Sequence, residues 1–352
     1  MLKERQFFTG LLCDLLIVSK AYRLFRRIYG GMGSILMFHR VVPETGRQRL
    51  FDNRSSEVTP RFLESAVRHY LKAGYAVVSL DDVYEMMAGK QPVRRFVCFT
   101  FDDGYRDNFT WAWPIFRKYD LPFAIYVPLC FPDRSCGAWW YFLEEILLTS
   151  DHVAFELDGR HFAFGCSQYR EKEEAFGKIR GLITDCGPER CSERLGQIFA
   201  PYQADWHRRI GETAMSWDQL RQLGRDSRVT IGAHTVNHPA LNRLSPGAVR
   251  KEVVRSKERL ESRIGRPVEH FAYPFGTRAE VGEREFEIVR SCGFKTATTT
   301  RSGNIFMAHR HHRECLPRIA FSEKRQGRGY LELLTSGAIP ALKNRFQRVI
   351  TL

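Results

Sequence analysis

Short apolar runs alternate with helical stripes along most of this chain, and that alternation constrains the fold more than any other feature. Ser34–Phe38, Tyr75–Leu80, Arg95–Phe101, Pro122–Val127, Val229–Ala233, Glu269–Tyr273, Lys295–Thr300 and Leu316–Phe321 read as buried strands. Helices are signalled between them. Thr59-Pro60 supplies an N-cap and a proline at the first helical position, and Gly74 ends that helix. Asp81 caps a short helix to Gly89, Ser216 opens a helix to Leu223, and Ser245-Pro246 opens a charged helix that stops at Gly265. Residues 105–119 and 280–292 are also predicted helical, the first broken by Pro114. Strand and helix repeating about seven times imply a parallel sheet with helices outside, closed or nearly closed into a barrel.

One stretch breaks the rhythm. Residues 133–212 open with Trp139-Trp140-Tyr141-Phe142 and contain a charged helical segment, Tyr169–Thr184. They read as an inserted lid or subdomain. The expected organisation is a basic amphipathic segment at 1–31, a barrel at 32–132 and 213–322, the insertion at 133–212, and a basic helical segment at 323–352 split near Gly337 and Pro340.

The chain has 352 residues, 43% of them hydrophobic, enough for a large core. Its nine cysteines are irregularly spaced with no C-x-x-C pair, which argues against a disulfide framework and a structural zinc knuckle and fits a reduced, cytoplasmic setting. Net charge is +14, and residues 1–31 and 310–352 supply ten of those charges. No nucleic-acid reading motif accompanies them, so nucleic acid is not an expected partner. An anionic membrane surface or glycan fits a basic rim. Apolar residues 11, 12, 15, 16 and 18, followed by basic residues 20, 23, 26 and 27, form an amphipathic helix. It either lies peripherally on the inner membrane face or packs on the barrel.

Three polar clusters end predicted strands: Thr100-Phe101-Asp102-Asp103-Gly104, His234-Thr235-Val236-Asn237-His238, and Tyr273-Pro274-Phe275-Gly276. The carboxyl ends of barrel strands carry active sites. Adjacent acids there repel each other, and a metal resolves the conflict. Two histidines four residues apart can meet one ion if the turn after the strand is helical. A His-His-Asp set leaves coordination positions open, the layout of a catalytic rather than a structural site. Zn²⁺, or another divalent ion such as Co²⁺, suits these ligands.

Phe99-Thr100-Phe101-Asp102-Asp103-Gly104-Tyr105 resembles the first motif of the NodB-type polysaccharide deacetylases, carbohydrate esterase family four. His234-Thr235-Val236-Asn237-His238 is similar to the second, and Leu36-Met37-Phe38-His39-Arg40-Val41 resembles a signature of one subgroup. The resemblance implies a distorted (β/α)₇ barrel, metal ligands Asp103, His234 and His238, and Asp102 as general base. It also implies removal of acetyl groups from N-acetylglucosamine-type oligo- or polysaccharides. Ala272-Tyr273-Pro274-Phe275 lacks the arginine of the family's third motif, as in that subgroup, and no late Leu-x-His motif is recognisable. Arg318, in Leu316-Pro317-Arg318-Ile319, is the candidate to orient Asp102 instead. The Phe275 N–H is the expected oxyanion donor. His39 is the expected catalytic acid, with His309, His311 and His312 as alternatives, and Trp139, Trp140, Trp206 and Trp217 could stack on sugars or fill the core. A rival function is a catalytically inactive carbohydrate-binding or membrane-surface protein on the same barrel.

Overall fold

The computed structural model describes residues 2–46, 48–136, 138–185, 188–202, 206–321 and 327–351, with backbone alone for 2–9, 52, 188, 189 and 206–209. Seven parallel strands form a closed ring: β1 (Gly33–Phe38), β2 (Phe96–Phe101), β3 (Phe123–Val127), β4 (Val229–Ala233), β5 (His270–Ala272), β6 (Thr296–Ser302) and β7 (Leu316–Ala320). They pair in chain order, and β1 closes the ring by pairing with both β2 and β7. This is the barrel expected from the alternation, in the distorted (β/α)₇ form that the resemblance implied.

Tyr75–Leu80 departs from its expected strand. Only Ala76–Val77 pairs, against Phe96–Val97 at the start of β2, and it lies outside the ring. Ser79 ends it. Its side chain caps helix α4 (Leu80–Met87), and the Ser79 N–H donates to Asp82 Oδ2 at 2.9 Å. The local capping signal overrides the strand propensity of the preceding residues.

The period of two along each strand separates two cores. Leu36, Phe38, Val97, Phe99 and Phe101 face outward and pack with Phe62, Leu63 and Val67 of α3 (Pro60–Lys72). Ile35, Cys98, Ala124 and Tyr126 face inward and meet Val83 and Met86 of α4 (Leu80–Met87). Asp81 of α4 reaches Lys295 Nζ at 2.7 Å and His270 Nε2 at 3.5 Å, beside the starts of β6 and β5. The helix α4 therefore plugs the barrel at the amino ends of its strands and leaves the carboxyl ends as the mouth.

The insertion has its own core, in which Leu143, Leu147, Phe155, Phe176 and Ile179 are buried together. It contains helices Trp139–Thr149, Tyr169–Thr184, Pro188–Phe199 and Trp206–Thr213, with an antiparallel hairpin of His152–Leu157 and Arg160–Gly165. A buried charge network ties it to the barrel. Arg49 forks between Glu57 at 2.8 Å and Glu144 of the insertion at 3.0 Å, and Arg40, paired with Asp107 at 2.7 Å, lies 4.8 Å over the ring of Tyr141 in the insertion.

Helix α5 (Pro246–Ile264) runs from its Ser245 cap to Gly265 as expected. Pro114 follows a π-helical turn at Asn108–Ala112 and sits in the first turn of Trp113–Lys118, where no N–H is required. The C-terminal helix splits into Arg328–Thr335 and Ala338–Lys343 at Gly337, whose φ is 80°; a Cβ there would collide with the Tyr29 carbonyl. Cys98, Cys130, Cys136, Cys166, Cys292 and Cys315 carry free thiols.

Candidate active site

Asp102 and Asp103 leave the carboxyl end of β2 in opposite directions. Asp102 continues the inward face of Cys98 and Thr100. Its carboxylate accepts two parallel hydrogen bonds, both 2.7 Å, from Arg318 Nη1 and Nη2. Arg318 projects into the barrel from β7 and is fully buried. Its Nη1 also donates to Thr100 Oγ1 at 3.2 Å, its Nε donates to the Thr299 carbonyl at 3.0 Å, and Tyr126 lies under its guanidinium. Burial alone would raise the Asp102 pKa, but the charge and hydrogen bonds of Arg318 outweigh it and hold the carboxyl below its ordinary value.

At Asp103 the backbone turns left-handed, with φ 70°, and Gly104 follows at φ 65°. The turn swings the Asp103 carboxylate toward two histidines. Its Oδ1 lies 3.5 Å from His234 Nε2 and 3.3 Å from His238 Nε2. The Nδ1 of His234 is 2.7 Å from the Ala272 carbonyl at the end of β5. That contact requires a proton on Nδ1 and leaves Nε2 as the nitrogen turned toward Asp103.

The histidine pair is not delivered by a helical turn, as its spacing suggested. Residues 234–240 form a loop in which Thr235 has φ 70° and His238 φ 55°. Such angles are unfavourable for a β-branched residue and persist only when the surroundings impose them. Here Glu252 of α5 accepts hydrogen bonds from the N–H groups of Val236 and Asn237, both at 2.9 Å, and Thr235 Oγ1 accepts from the His238 N–H at 3.0 Å. Sequence reading passed over Glu252 because it lies within a highly charged helix and carries no local mark of its role.

Phe275 is also left-handed, φ 59°, and its ring stands 5.0 Å from that of His238. Its carbonyl accepts from Thr300 Oγ1 at 2.6 Å. Among the described residues its N–H has no hydrogen-bond partner. His39 follows β1 at the same mouth, half-buried, with its carbonyl held by Asn108 Nδ2 at 2.8 Å. The carboxyls of Asp102 and Asp103 lie within electrostatic reach of its side chain. Thus Asp102, Asp103, His234, His238, Phe275, His39 and Arg318 meet at one end of the barrel.

The alternative acids do not. The chain before His309 bridges Ile305 to Gly33, at the amino end of β1. His309, His311 and His312 therefore lie at the plugged end. His309 is buried, its Nδ1 accepts the Phe306 N–H at 3.0 Å, and burial pushes its pKa down to about 4. The unfolded ring titrates near 6.5, so the unfolded chain binds the extra proton first as pH falls. Stability from this group should be complete above about pH 6.5 and decline by about 3 kcal/mol by pH 4. His309→Asn, which keeps an acceptor for the Phe306 N–H, should flatten that part of the pH–stability curve. An unchanged curve would remove His309 as its source.

His312, Glu314 and Cys315 also cluster at this end. Glu314 is already paired with Arg290 at 2.6 Å, and burial drives the Cys315 thiol up to about 12. They fit a metal poorly. Of the candidate sugar platforms, Trp139 and Trp140 pack half-buried on the insertion's core. Trp217 Nε1 donates to Asp133 at 3.0 Å, and the Trp206 side chain lies outside the described residues.

A family described as polysaccharide deacetylase matches residues 181–297, which include the histidine loop and Phe275 but not the aspartate pair. No curated protein matches the sequence. The fold is shared with solved deacetylases. The deacetylase PplD of Streptococcus pyogenes, solved with acetate, aligns over 86% of this chain and 97% of its own at TM-score 0.54 and 18% identity. IcaB from Ammonifex degensii aligns over 87% and 96% at TM-score 0.52 and 17% identity. A de-N-acetylase of Aggregatibacter actinomycetemcomitans aligns over 86% and 99% at TM-score 0.54 and 14% identity. The chain is therefore similar to polysaccharide deacetylases in fold over most of its length, and in sequence over residues 181–297.

Proposed function

We propose that the protein is a metal-dependent hydrolase that removes acetyl groups from N-acetylglucosamine-type oligo- or polysaccharides. The reading rests on one juxtaposition: Asp103 and the two Nε2 atoms converge beside a second carboxylate, Asp102, that Arg318 holds ionised. One carboxylate oxygen and two neutral imidazole nitrogens fit Zn²⁺ or a similar divalent ion such as Co²⁺. When bound, such an ion supplies Lewis-acid polarisation of the acetyl carbonyl and a more acidic water.

The protein's own groups divide the remaining work. Asp102 accepts the proton of the attacking water, and its fork to Arg318 fixes the orientation in which the carboxylate meets that water. The Phe275 N–H donates to the oxyanion as the carbonyl carbon becomes tetrahedral. His39 delivers a proton to the departing sugar amine, which would otherwise leave as a poor amide anion. The insertion, bonded to the barrel through Arg49, stands beside the mouth as a substrate-contacting unit.

Purified protein should release acetate from N-acetylglucosamine oligomers when supplied with Zn²⁺ or Co²⁺, and chelation should abolish it. Asp103→Ala, His234→Ala and His238→Ala should each lose the ion and the activity together, measured by elemental analysis and acetate assay on the same sample. A variant that kept one full equivalent of metal at normal affinity would refute the ligand assignment. A wild-type protein that binds the metal and the glycan but releases no acetate would favour the inactive carbohydrate-binding reading.

His39 is tested by leaving group. His39→Gln should slow amide hydrolysis by about 10²-fold yet barely affect an activated acetate ester, whose leaving group needs little protonation. Equal losses on both substrates would make His39 structural.

A further inference from the structure

We infer that the two N-terminal helices form a docking face for an anionic lipid bilayer. α1 (Leu2–Val18) is apolar on two opposite sides. At 100° per residue, Cys13, Leu16 and Ile17 share one side and Leu11, Leu15 and Val18 the other. The first side is covered. Cys13 and Leu16 are buried with Leu333, and Ile17 sits against Gly329, where a Cβ would collide with it. Both partners belong to α6 (Arg328–Thr335). The second side faces solvent, with Leu11 58%, Leu15 62% and Val18 80% exposed.

The next helix continues the face. In α2 (Tyr22–Tyr29), Tyr22 is buried while Leu24 is 62% and Ile28 48% exposed. Arg23 and Arg27 are exposed beside them, one residue away around the helix. Helix α7 (Ala338–Lys343) packs on α2, and Phe346 just beyond it lies 6.2 Å from the Tyr29 ring, 56% exposed. Exposed Lys343 and Arg345 flank it. The two basic ends of the chain, distant in sequence, are thus brought to one surface.

The occupant follows from this chemistry. Among the described residues no helix is long and apolar enough to cross a membrane, so these helices lie on a surface rather than span. A row of exposed leucine, valine and isoleucine, interrupted on α1 by exposed Asp14 and flanked by the arginines of α2 and by Lys343 and Arg345, matches the boundary between acyl chains and anionic headgroups. A second copy would set the same cations against one another, which disfavours self-association. Paired burial of α1 against α6 makes the helix part of the fold, so the face is preformed. Asn304 donates to the Tyr29 carbonyl at 3.0 Å and contacts Ser34 Oγ at 2.8 Å, anchoring the face at the amino end of β1.

The test uses the full chain and sedimentation with vesicles of phosphatidylcholine, with and without phosphatidylglycerol. Binding should require phosphatidylglycerol and weaken as salt rises. Leu15→Glu/Leu24→Glu should abolish it, and Arg23→Gln and Arg27→Gln should each weaken it about fivefold. Because all four positions are exposed, the variants should keep the wild-type melting curve. No binding at low salt, or undiminished binding by Leu15→Glu/Leu24→Glu, would overturn the proposal. A dimer in sedimentation velocity that Leu15→Glu/Leu24→Glu dissociates would assign the face to a second copy instead.

Discussion

Replacing Asp102 with asparagine should lower turnover by about 10²–10⁴ while leaving bound metal unchanged. The proposed ion sits on Asp103, His234 and His238, and Asp102 is turned away from them by the left-handed bend at Asp103. Asparagine keeps the shape of the side chain but cannot take a proton. It also meets one guanidinium N–H of Arg318 with an N–H of its own, so a modest loss of stability should accompany the kinetic defect. Elemental analysis and single-turnover acetate release on one preparation separate the outcomes. If Asp102→Asn loses its metal, or turns over normally, the division of labour between the two aspartates is wrong.

Arg318→Met should destabilise the protein by about 3–5 kcal/mol, because it leaves the Asp102 carboxylate buried without its counter-charge. Asp102→Leu added to Arg318→Met should recover most of that loss, since no lone charge then remains inside the barrel. Denaturant unfolding of the two variants measures the difference directly. Arg318→Lys is a finer probe. Lysine restores charge but not the two-pronged fork, so it should regain stability while turnover stays low. If Arg318→Met is as stable as wild type, the ion pair is not formed as the 2.7 Å distances describe.

How much of this was legible beforehand depended on whether the signal was local. Caps and breakers act within a few residues, so the Ser245 and Gly265 limits of α5, the Tyr169–Thr184 helix and the split at Gly337 all fall where the residues indicated. The polar clusters at strand ends were visible because strands and their ends are written in short apolar runs. Two features were written differently. The histidine spacing suggested a helical turn, yet Thr235 and His238 are held left-handed by Glu252, which lies well downstream on another element. The location of His309 depended on how the segment after β6 folds back to Gly33, a tertiary contact with no periodic signature. Arg318 could be nominated from a motif, but its fork to Asp102 joins residues 216 apart, and only ring closure brings them together.

That last separation bears on when the protein can become active. Asp102 is on the second strand and Arg318 on the seventh, so a chain emerging from the ribosome carries Asp102, both histidines and Phe275 well before the arginine is made. Until β7 zips between β6 and β1, the carboxylate lines a half-open sheet and faces water or a slipped partner. The arginine that pairs with Asp102 is therefore also a latch on the finished ring. Nascent or C-terminally clipped chains would display the proposed metal ligands without an aligned Asp102, and the proposed hydrolysis would begin only with the final turn of assembly.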